Sequence, residues 1–518
     1  MFSGPVMISV LAIVTAFAGP AIGDEKPVPR NDYYRRILYA MPISLDPVKG
    51  TSGNEVQVIR QLFDQLVAYD KDYRWKPMLA ESWSVSDNGR KYAFRIRKGV
   101  RFVDGSELTP DDVVFSLQRM IRGSDQVRQF NDISGIKAEG DTVIVETRQS
   151  TPYLLHILAG SAASIIKKGY GGSPEEAPTG TGPFTLECRN DNSLILKANP
   201  DYFMSPPKLP GIVYFIYPDK ERLFEDFVKG ELDDIAPYNL PKGADRSGFK
   251  RIFTNGIISF IFTLNASNPP LDNKYVRQAL ARAIDYDRVL DGLSSEFPLL
   301  GRSASYIPKG RVGYDPGFKG TAYDPAEALR LIRKAGYKEF KDVPPIKLQF
   351  TGNIPYTGPL LDGLAAYAAK SGLRIIPEKT DNSGIAANFK SGLWHMTLLG
   401  SDWPFMDSYF LLSAYRSDSG KKMFSQADKE LDTLLDKCRT EMNPSRRTSL
   451  FRMVNDMLIE KAYIIPLYSG DIFDGTVQKW VEGVQYPNTS FNDIEMYHVS
   501  IAGGGKDSRP SRAVFCGR

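Results

Sequence analysis

The run Leu108-Thr109-Pro110-Asp111-Asp112-Val113-Val114-Phe115-Ser116-Leu117 contains the signals of a helix start. Thr109 is expected at the N-cap and Pro110 at the first helical position, where its missing N–H costs nothing. Asp112, three residues after the cap, completes a capping box. The apolar residues that follow continue one face of the helix.

Strand-like runs lie before this helix. Tyr92 to Arg97 alternates apolar and polar residues, as a half-buried strand does, and Asp87-Asn88-Gly89 is a hairpin turn signal. A second strand is expected at Arg36 to Ala40 and a short one at Leu232 to Ala236. Amphipathic spacing predicts helices at 220–230, 324–336, 427–439 and 446–460. Strands and helices alternate irregularly, which predicts an α/β fold with mixed sheets.

Length and composition limit the class of protein. The 518 residues correspond to roughly three domain equivalents. Apolar residues make up 42% and charged residues 24%, an ordinary globular balance, and the net charge of +4 gives no basic field for nucleic acid. Three His and three Cys exclude a large metal or iron–sulfur framework.

The N-terminus has the pattern of an export signal. Residues Val6 to Ala18 are almost wholly apolar, the first charged residue is Asp24, and the small residues Ala21-Ile22-Gly23 form a cleavage site. We therefore expect a signal peptide at 1–23, although its n-region has no Lys or Arg; the alternative is a buried N-terminal helix.

Enzyme signatures are missing from the sequence, which contains no G-x-S-x-G, no H-E-x-x-H and no Walker A motif. Isolated structural roles are expected for the three histidines, His156, His395 and His498. Cys188, Cys438 and Cys516 permit one disulfide in an oxidising compartment, but their spacing leaves the pairing open. Neither a cofactor nor a metal site is predicted.

Fragments along the whole chain resemble the extracellular solute-binding proteins of family 5, which include dipeptide-, oligopeptide- and nickel-binding components of ABC importers. The fragments are Ser44-Leu45-Asp46-Pro47, Gln61 to Val67, Pro77 to Trp83, Leu108 to Leu117, Gly180-Thr181-Gly182-Pro183-Phe184, Asn199-Pro200-Asp201-Tyr202, Lys229 to Asp233, Phe262 to Asn265, Pro270 to Asn273 and Val276 to Leu280. We assign these fragments scaffold roles, such as a rigid turn at Gly180 to Phe184 and a helix cap at Asp272.

The resemblance implies a two-lobed periplasmic binding protein fold of the large, three-subdomain type, with two hinge-crossing strands. The crossings are expected near Phe262 to Asn265 and Ile464 to Asp474. Lobe 1 would comprise 24–264 in two subdomains, lobe 2 would comprise 265–471, and 472–518 would return to lobe 1 and end in a flexible tail.

The ligand site is expected around the stretch from Trp394 to Asp407. By the same resemblance, Asp402 would hold the α-amino group of a peptide, and Leu398 and Gly400 would offer backbone hydrogen bonds. Trp394 and Trp403 would form pocket walls; the alternatives are core packing for the tryptophans and a turn role for Asp402. The loop Thr51-Ser52-Gly53 would face the ligand from lobe 1, and Tyr468 would reach in from the returning strand.

The sequence therefore predicts a monomeric periplasmic protein that is not an enzyme. It would capture di- or oligopeptides and deliver them to an ABC transporter permease in the inner membrane. Two alternatives stay open: the same fold with an opine, a sugar derivative or a metal chelate as solute, or a secreted hydrolase.

Overall fold

The computed structural model describes most of the chain, with the exception of these segments: 1–27, 30–31, 51, 71–73, 124–129, 170–177, 237–239, 241–244, 254–258, 295–302, 353–356, 402–406, 419–427, 470–473, 485–494, 503–512 and 515–518. The predicted signal peptide, Asp402 and Trp403 thus lie outside the described residues.

The strands, in chain order, are β1 (Val28–Pro29), β2 (Tyr34–Leu38), β3 (Val67–Tyr69), β4 (Trp75–Pro77), β5 (Ala80–Ser86), β6 (Lys91–Ile96), β7 (Ile133–Glu139), β8 (Thr142–Thr147), β9 (Phe184–Arg189), β10 (Ser193–Ala198), β11 (Gly211–Ile216), β12 (Phe249–Phe253), β13 (Ser259–Leu264), β14 (Ile346–Thr351), β15 (Ile375–Thr380), β16 (Met396–Ser401), β17 (Ile464–Ser469), β18 (Asp474–Gln478), β19 (Val481–Glu482), β20 (Ser500–Ile501) and β21 (Ala513–Val514).

The α-helices are α1 (Gly53–Leu62), α2 (Pro110–Gly123), α3 (Leu154–Leu158), α4 (Lys220–Val228), α5 (Lys274–Ala283), α6 (Tyr286–Ser294), α7 (Pro325–Lys334), α8 (Thr357–Lys370), α9 (Asn382–Ser391), α10 (Ser408–Leu412), α11 (Lys429–Thr440) and α12 (Pro444–Glu460).

Two sheets organise the part that we call lobe 1, namely the described residues of 28–253 and 474–514. The first has the order β2-β11-β10-β9, with β2 and β11 parallel and the other pairs antiparallel. The second has the order β5-β6-β8-β7 and is antiparallel throughout. Each sheet has its own apolar core, so lobe 1 contains two packed units.

A single five-stranded sheet organises lobe 2, the described residues of 259–469. Its order is β15-β14-β16-β13-β17; β15, β14 and β16 are parallel, and β13 is antiparallel to both of its neighbours. Alternate residues of β13 serve two cores: Phe260 and Phe262 pack with α5 and α8, whereas Ile261 packs with α11 and α12. This period-2 alternation lets helices cover both faces of one sheet.

Several local predictions are confirmed. Thr109 and Asp112 form the reciprocal cap of α2: the Thr109 N–H donates to Asp112 Oδ2 at 2.8 Å, and the Asp112 N–H donates to Thr109 Oγ1 at 3.4 Å. The hairpin of β5 and β6 closes at the predicted turn, with Ser86 paired to Lys91. The flexible tail expected at the C-terminus stays a prediction, and two of its residues form β21, which pairs with β1.

Two local predictions are wrong. The cap of α5 is Asn273, whose side chain accepts the Tyr275 N–H at 3.0 Å, and not Asp272. The strand expected at 232–236 is reduced to one bridge between Asp234 and Val477. In this segment the Ala236 N–H donates to the Asp234 carboxylate at 2.6 Å. This N–H is therefore bonded to a side chain and not to a neighbouring strand.

Candidate functional site

The two chain connections between the lobes determine which end of the lobe 2 sheet faces lobe 1. The chain passes from Phe253 in β12 to Ser259 in β13, and from Ser469 in β17 to Asp474 in β18. Six residues of fully extended chain span at most about 20 Å. The end of the lobe 2 sheet that holds Ser259 and Ser469 must therefore face lobe 1.

We call this end the cleft edge. It consists of the carboxyl ends of β14, β15, β16 and β17 and the amino end of β13, because β13 runs against its neighbours. Ser401, the last residue of β16, pairs with Ser259 at this edge. Asp402 follows Ser401 directly in the chain and lies outside the described residues.

Strand β16 has an open side near the cleft edge. It pairs with β13 along its whole length, from Met396 to Ser401. With β14 it pairs only at Met396 and Thr397. Within the described residues, the stretch 398–401 therefore has a ladder partner on one side only.

Phe260 of β13 lies between Gly400 of β16 and Tyr468 of β17, on the side of β16 away from its open edge. The Phe260 ring stacks on Tyr468 with centroids 4.6 Å apart and lies across Gly400. A Cβ at Gly400 would come within 2.9 Å of the Phe260 ring, so any other residue here would have to displace that ring. Tyr468 is fully buried, and it supports the surface beneath β16.

The remaining predicted site residues lie elsewhere. The Leu398 side chain is in the main apolar core, which leaves only its backbone for a ligand. Trp394 precedes β16 at the end opposite the cleft edge and packs on Phe389, with ring centroids 4.8 Å apart. Ser52 is the N-cap of α1 in lobe 1, and its N–H donates to Glu55 at 2.8 Å; Gly53 begins that helix.

A buried ion pair fixes the chain where it continues after the segment 402–406. Asp407 is fully buried, and both of its carboxylate oxygens accept bonds from the Arg447 guanidinium, one of them at 2.8 Å. It also caps α10 by accepting the Tyr409 N–H at 2.9 Å. Burial works to raise the pKa of Asp407, but Arg447 and His156 outweigh it and hold the pKa below its ordinary value. The sequence reasoning missed this pair, because forty positions separate its members.

The family-like fragments converge on one buried carboxylate in lobe 1. Asp64 accepts bonds from the Thr181 hydroxyl at 2.8 Å and the Tyr202 hydroxyl at 2.9 Å. Burial raises its pKa to about 6, against these two hydrogen bonds. Asp64 lines a small cavity of about 60 Å³, partly open to solvent, together with Glu495 and Tyr497. This agrees with the scaffold role assigned to the fragments.

The cysteines divide into two kinds. Cys188 is disulfide-bonded, and Cys438 is a free thiol that is fully buried in lobe 2. Cys516 lies outside the described residues.

Among the residues that the structure describes, no cluster of three or more His, Cys, Asp or Glu side chains is arranged to hold a metal ion. In the same part of the chain, no helix combines the length and apolarity that crossing a bilayer requires.

Comparison with known proteins places this arrangement among binding proteins. The family model described as "Bacterial extracellular solute-binding proteins, family 5 Middle" matches residues 74–423. The "Dipeptide-binding protein" of Escherichia coli is 27% identical over 452 residues, which cover 79% of this chain and 83% of that protein. The "Heme-binding protein A" of Haemophilus influenzae is 25% identical over 508 residues, covering 89% and 91%.

A solved structure confirms the predicted fold. NikA from Brucella suis in complex with Fe(III)-EDTA matches with a TM-score of 0.80 at 20% identity, and the match covers 90% of this chain and 99% of that one. At this identity the likeness concerns the fold alone. It is the α/β fold of periplasmic binding proteins.

Proposed function

Because the chain belongs to the bacterial extracellular solute-binding proteins of family 5, which are binding proteins of ABC importers and not enzymes, we propose that its solute is a di- or oligopeptide. The peptide would be captured between the lobes in the periplasm and delivered to a permease in the inner membrane. The predicted signal peptide at 1–23 would account for the export that this role requires.

The open side of β16 carries the proposal. An extended peptide can add to such an edge as a further strand, and its main-chain groups then bond to those of the stretch 398–401. These bonds do not depend on peptide side chains, so the affinity would tolerate many sequences. Since the Leu398 side chain is buried, its part in binding is limited to the backbone.

Asp402 would fix the peptide terminus. It follows the open stretch directly, and a carboxylate there can pair with the α-amino group of a peptide lying along β16. Trp403 would form a wall beside the first peptide side chain, and the stacked rings of Phe260 and Tyr468 would form the floor beneath Gly400. Ser52 and Gly53, at the start of α1, would meet the peptide from lobe 1.

The test is a thermal unfolding series with a defined panel of solutes. The panel holds alanine peptides of two to six residues, haem, and nickel chelated by histidine, because the names of the relatives include dipeptide- and haem-binding proteins. A solute at ~100 times its dissociation constant adds about 2.7 kcal/mol of stability.

The proposal expects stabilisation by alanine peptides, and its loss in the variant Asp402→Ala. Asp418→Ala is the matched control, since Asp418 lies on the surface, paired with Arg416. Stabilisation by haem or the nickel chelate without any effect of peptides would overturn the peptide proposal and retain the family role.

A further inference from the structure

A chain of polar contacts crosses from lobe 1 to lobe 2. The Tyr69 hydroxyl of β3 contacts Nδ1 of His156, which belongs to α3 in lobe 1. Nε2 of His156 lies 3.5 Å from Oδ2 of Asp407 in lobe 2. Asp407 is in turn held by Arg447, so the contact joins a histidine of one lobe to a fixed carboxylate of the other.

The surfaces around this contact fit each other. The Tyr153 ring of lobe 1 stacks on the Tyr409 ring of lobe 2 with centroids 5.5 Å apart, and Phe410 packs into the same lobe 1 core. Arg439 of lobe 2 donates to both oxygens of Asp132 in lobe 1, at 2.8 and 2.9 Å.

The turn of the β5–β6 hairpin adds a further contact across the lobes. A Cβ at Gly89 would come within 2.2 Å of the Met442 sulfur of lobe 2, so the two chains touch closely there. The patch therefore combines apolar packing, an ion pair and the polar chain through His156.

The position of Asp407 links this patch to the ligand site. Asp407 lies five positions after Asp402, at the point where the described chain resumes. Arg447 holds Asp407 from within lobe 2, and His156 contacts it from lobe 1.

We propose that His156 is a positioning residue for solute capture, which docks on Asp407 when the lobes close and so makes closure depend on the protonation of its ring. The inference rests on the proposed function, because it is the bound solute that favours the closed form. A charged imidazole would be repelled by the guanidinium groups of Arg447 and Arg311, whereas a neutral ring would not.

The charges around His156 determine the direction of the pH effect. Four groups face its ring: Tyr69 of β3, Asp407 at the start of α10, Arg447 of α12 and Arg311 of the loop before α7. Burial lowers the pKa of His156 to about 4; Asp407 opposes this effect, and the two arginines add to it.

When the lobes open, Nε2 returns to water and the pKa returns toward its ordinary value of 6.5. The closed form then binds fewer protons than the open form, so solute affinity falls as the pH drops from about 6.5 toward 4. Between pH 7.0 and 5.5 these two pKa values correspond to a loss of about eightfold in affinity. Asp64 titrates in the same range, but the groups that act on it, Thr181, Tyr202, Glu495 and Lys76, all belong to lobe 1.

The experiment measures by calorimetry the affinity of the alanine peptide that binds most tightly, at pH 7.0 and 5.5. The wild type is compared with H156Q, which keeps a neutral donor, with H156A, which has none, and with H395Q as a control. His395 is a half-buried residue of lobe 2 that precedes β16, and its Nδ1 accepts the Lys347 N–H.

The wild type and H395Q should each lose about eightfold in affinity on acidification, whereas H156Q should lose none. At pH 7.0, H156A should bind about twofold more weakly than H156Q, as expected for the loss of one long polar contact. An equal acid loss in H156Q and wild type, or no acid loss in the wild type, would overturn the inference. If peptides fail and another solute of the panel binds, the proposed function falls, and the same comparison with that solute decides the role of His156.

Discussion

Removal of Arg447 is the perturbation whose energetic consequence the structure defines best. The side chains of Asp407 and Arg447 are 0% and 6% exposed, so the pair is cut off from water. Arg447→Met keeps most of the side-chain volume and leaves the carboxylate buried without its partner. Breaking a buried pair from one side typically costs ~3–5 kcal/mol. The bond from Arg447 Nε to the Cys438 carbonyl, 2.9 Å long, is lost as well.

The loss should depend on pH in a defined direction. In the wild type, the pKa of Asp407 lies below its ordinary value. Without Arg447, burial dominates and the folded-state pKa rises above the unfolded value. The variant then regains stability as the pH falls through that raised pKa, because protonation removes the buried charge.

Urea unfolding followed by circular dichroism measures both effects, at pH 7.0 and pH 5.0. The matched control is Arg330→Met, which breaks an ion pair with Glu327 on the surface of α7 and should leave stability unchanged. A loss below ~1 kcal/mol for Arg447→Met at pH 7.0 would refute the account of a buried, uncompensated charge. So would a loss of equal size at the two pH values.

Three further outcomes are expected. Gly400→Ala forces the Phe260 ring off Tyr468 and should destabilise the protein by ~1–3 kcal/mol in the same assay, whereas Gly358→Ala, which meets nothing within 4 Å, should not. Asp64 has a folded pKa of about 6, above the unfolded value of 3.8, so its contribution to stability should grow as the pH falls from about 6 to 4; Asp64→Asn should lack this dependence. Cys438 is buried, and burial raises the pKa of its thiol to about 12, so iodoacetamide should alkylate it only after unfolding, as peptide mapping by mass spectrometry would show.

Local signals could be predicted from the sequence where one short segment contains all the interacting groups. The cap of α2 needs only Thr109 and Asp112, three positions apart, and both behave as expected. The cap of α5 shows the limit of such reasoning. Asp272 and Asn273 are adjacent and both suited to capping, and only the exact start of the helix selects Asn273.

Long-range contacts could not be predicted, since the sequence does not say which distant side chains meet. Asp64 and Thr181 lie 117 positions apart, and His156 and Asp407 lie 251 apart, yet each pair is joined in the fold. The predicted ligand strand shows how far apart residues of one short stretch can lie. Gly400 lies at the cleft edge, whereas Trp394, six positions earlier, lies at the opposite end because a strand advances about 3.3 Å per residue.

The most direct test of the central claim combines a change in the protein with a change in the peptide. Calorimetry measures the affinity of the wild type and of Asp402→Asn for one alanine peptide, with a free and with an acetylated α-amino group. If Asp402 pairs with that group, acetylation weakens binding to the wild type strongly and binding to the variant hardly at all, since the interaction is already absent. Equal losses from acetylation in both proteins would show that the amino group binds elsewhere and would contradict the account.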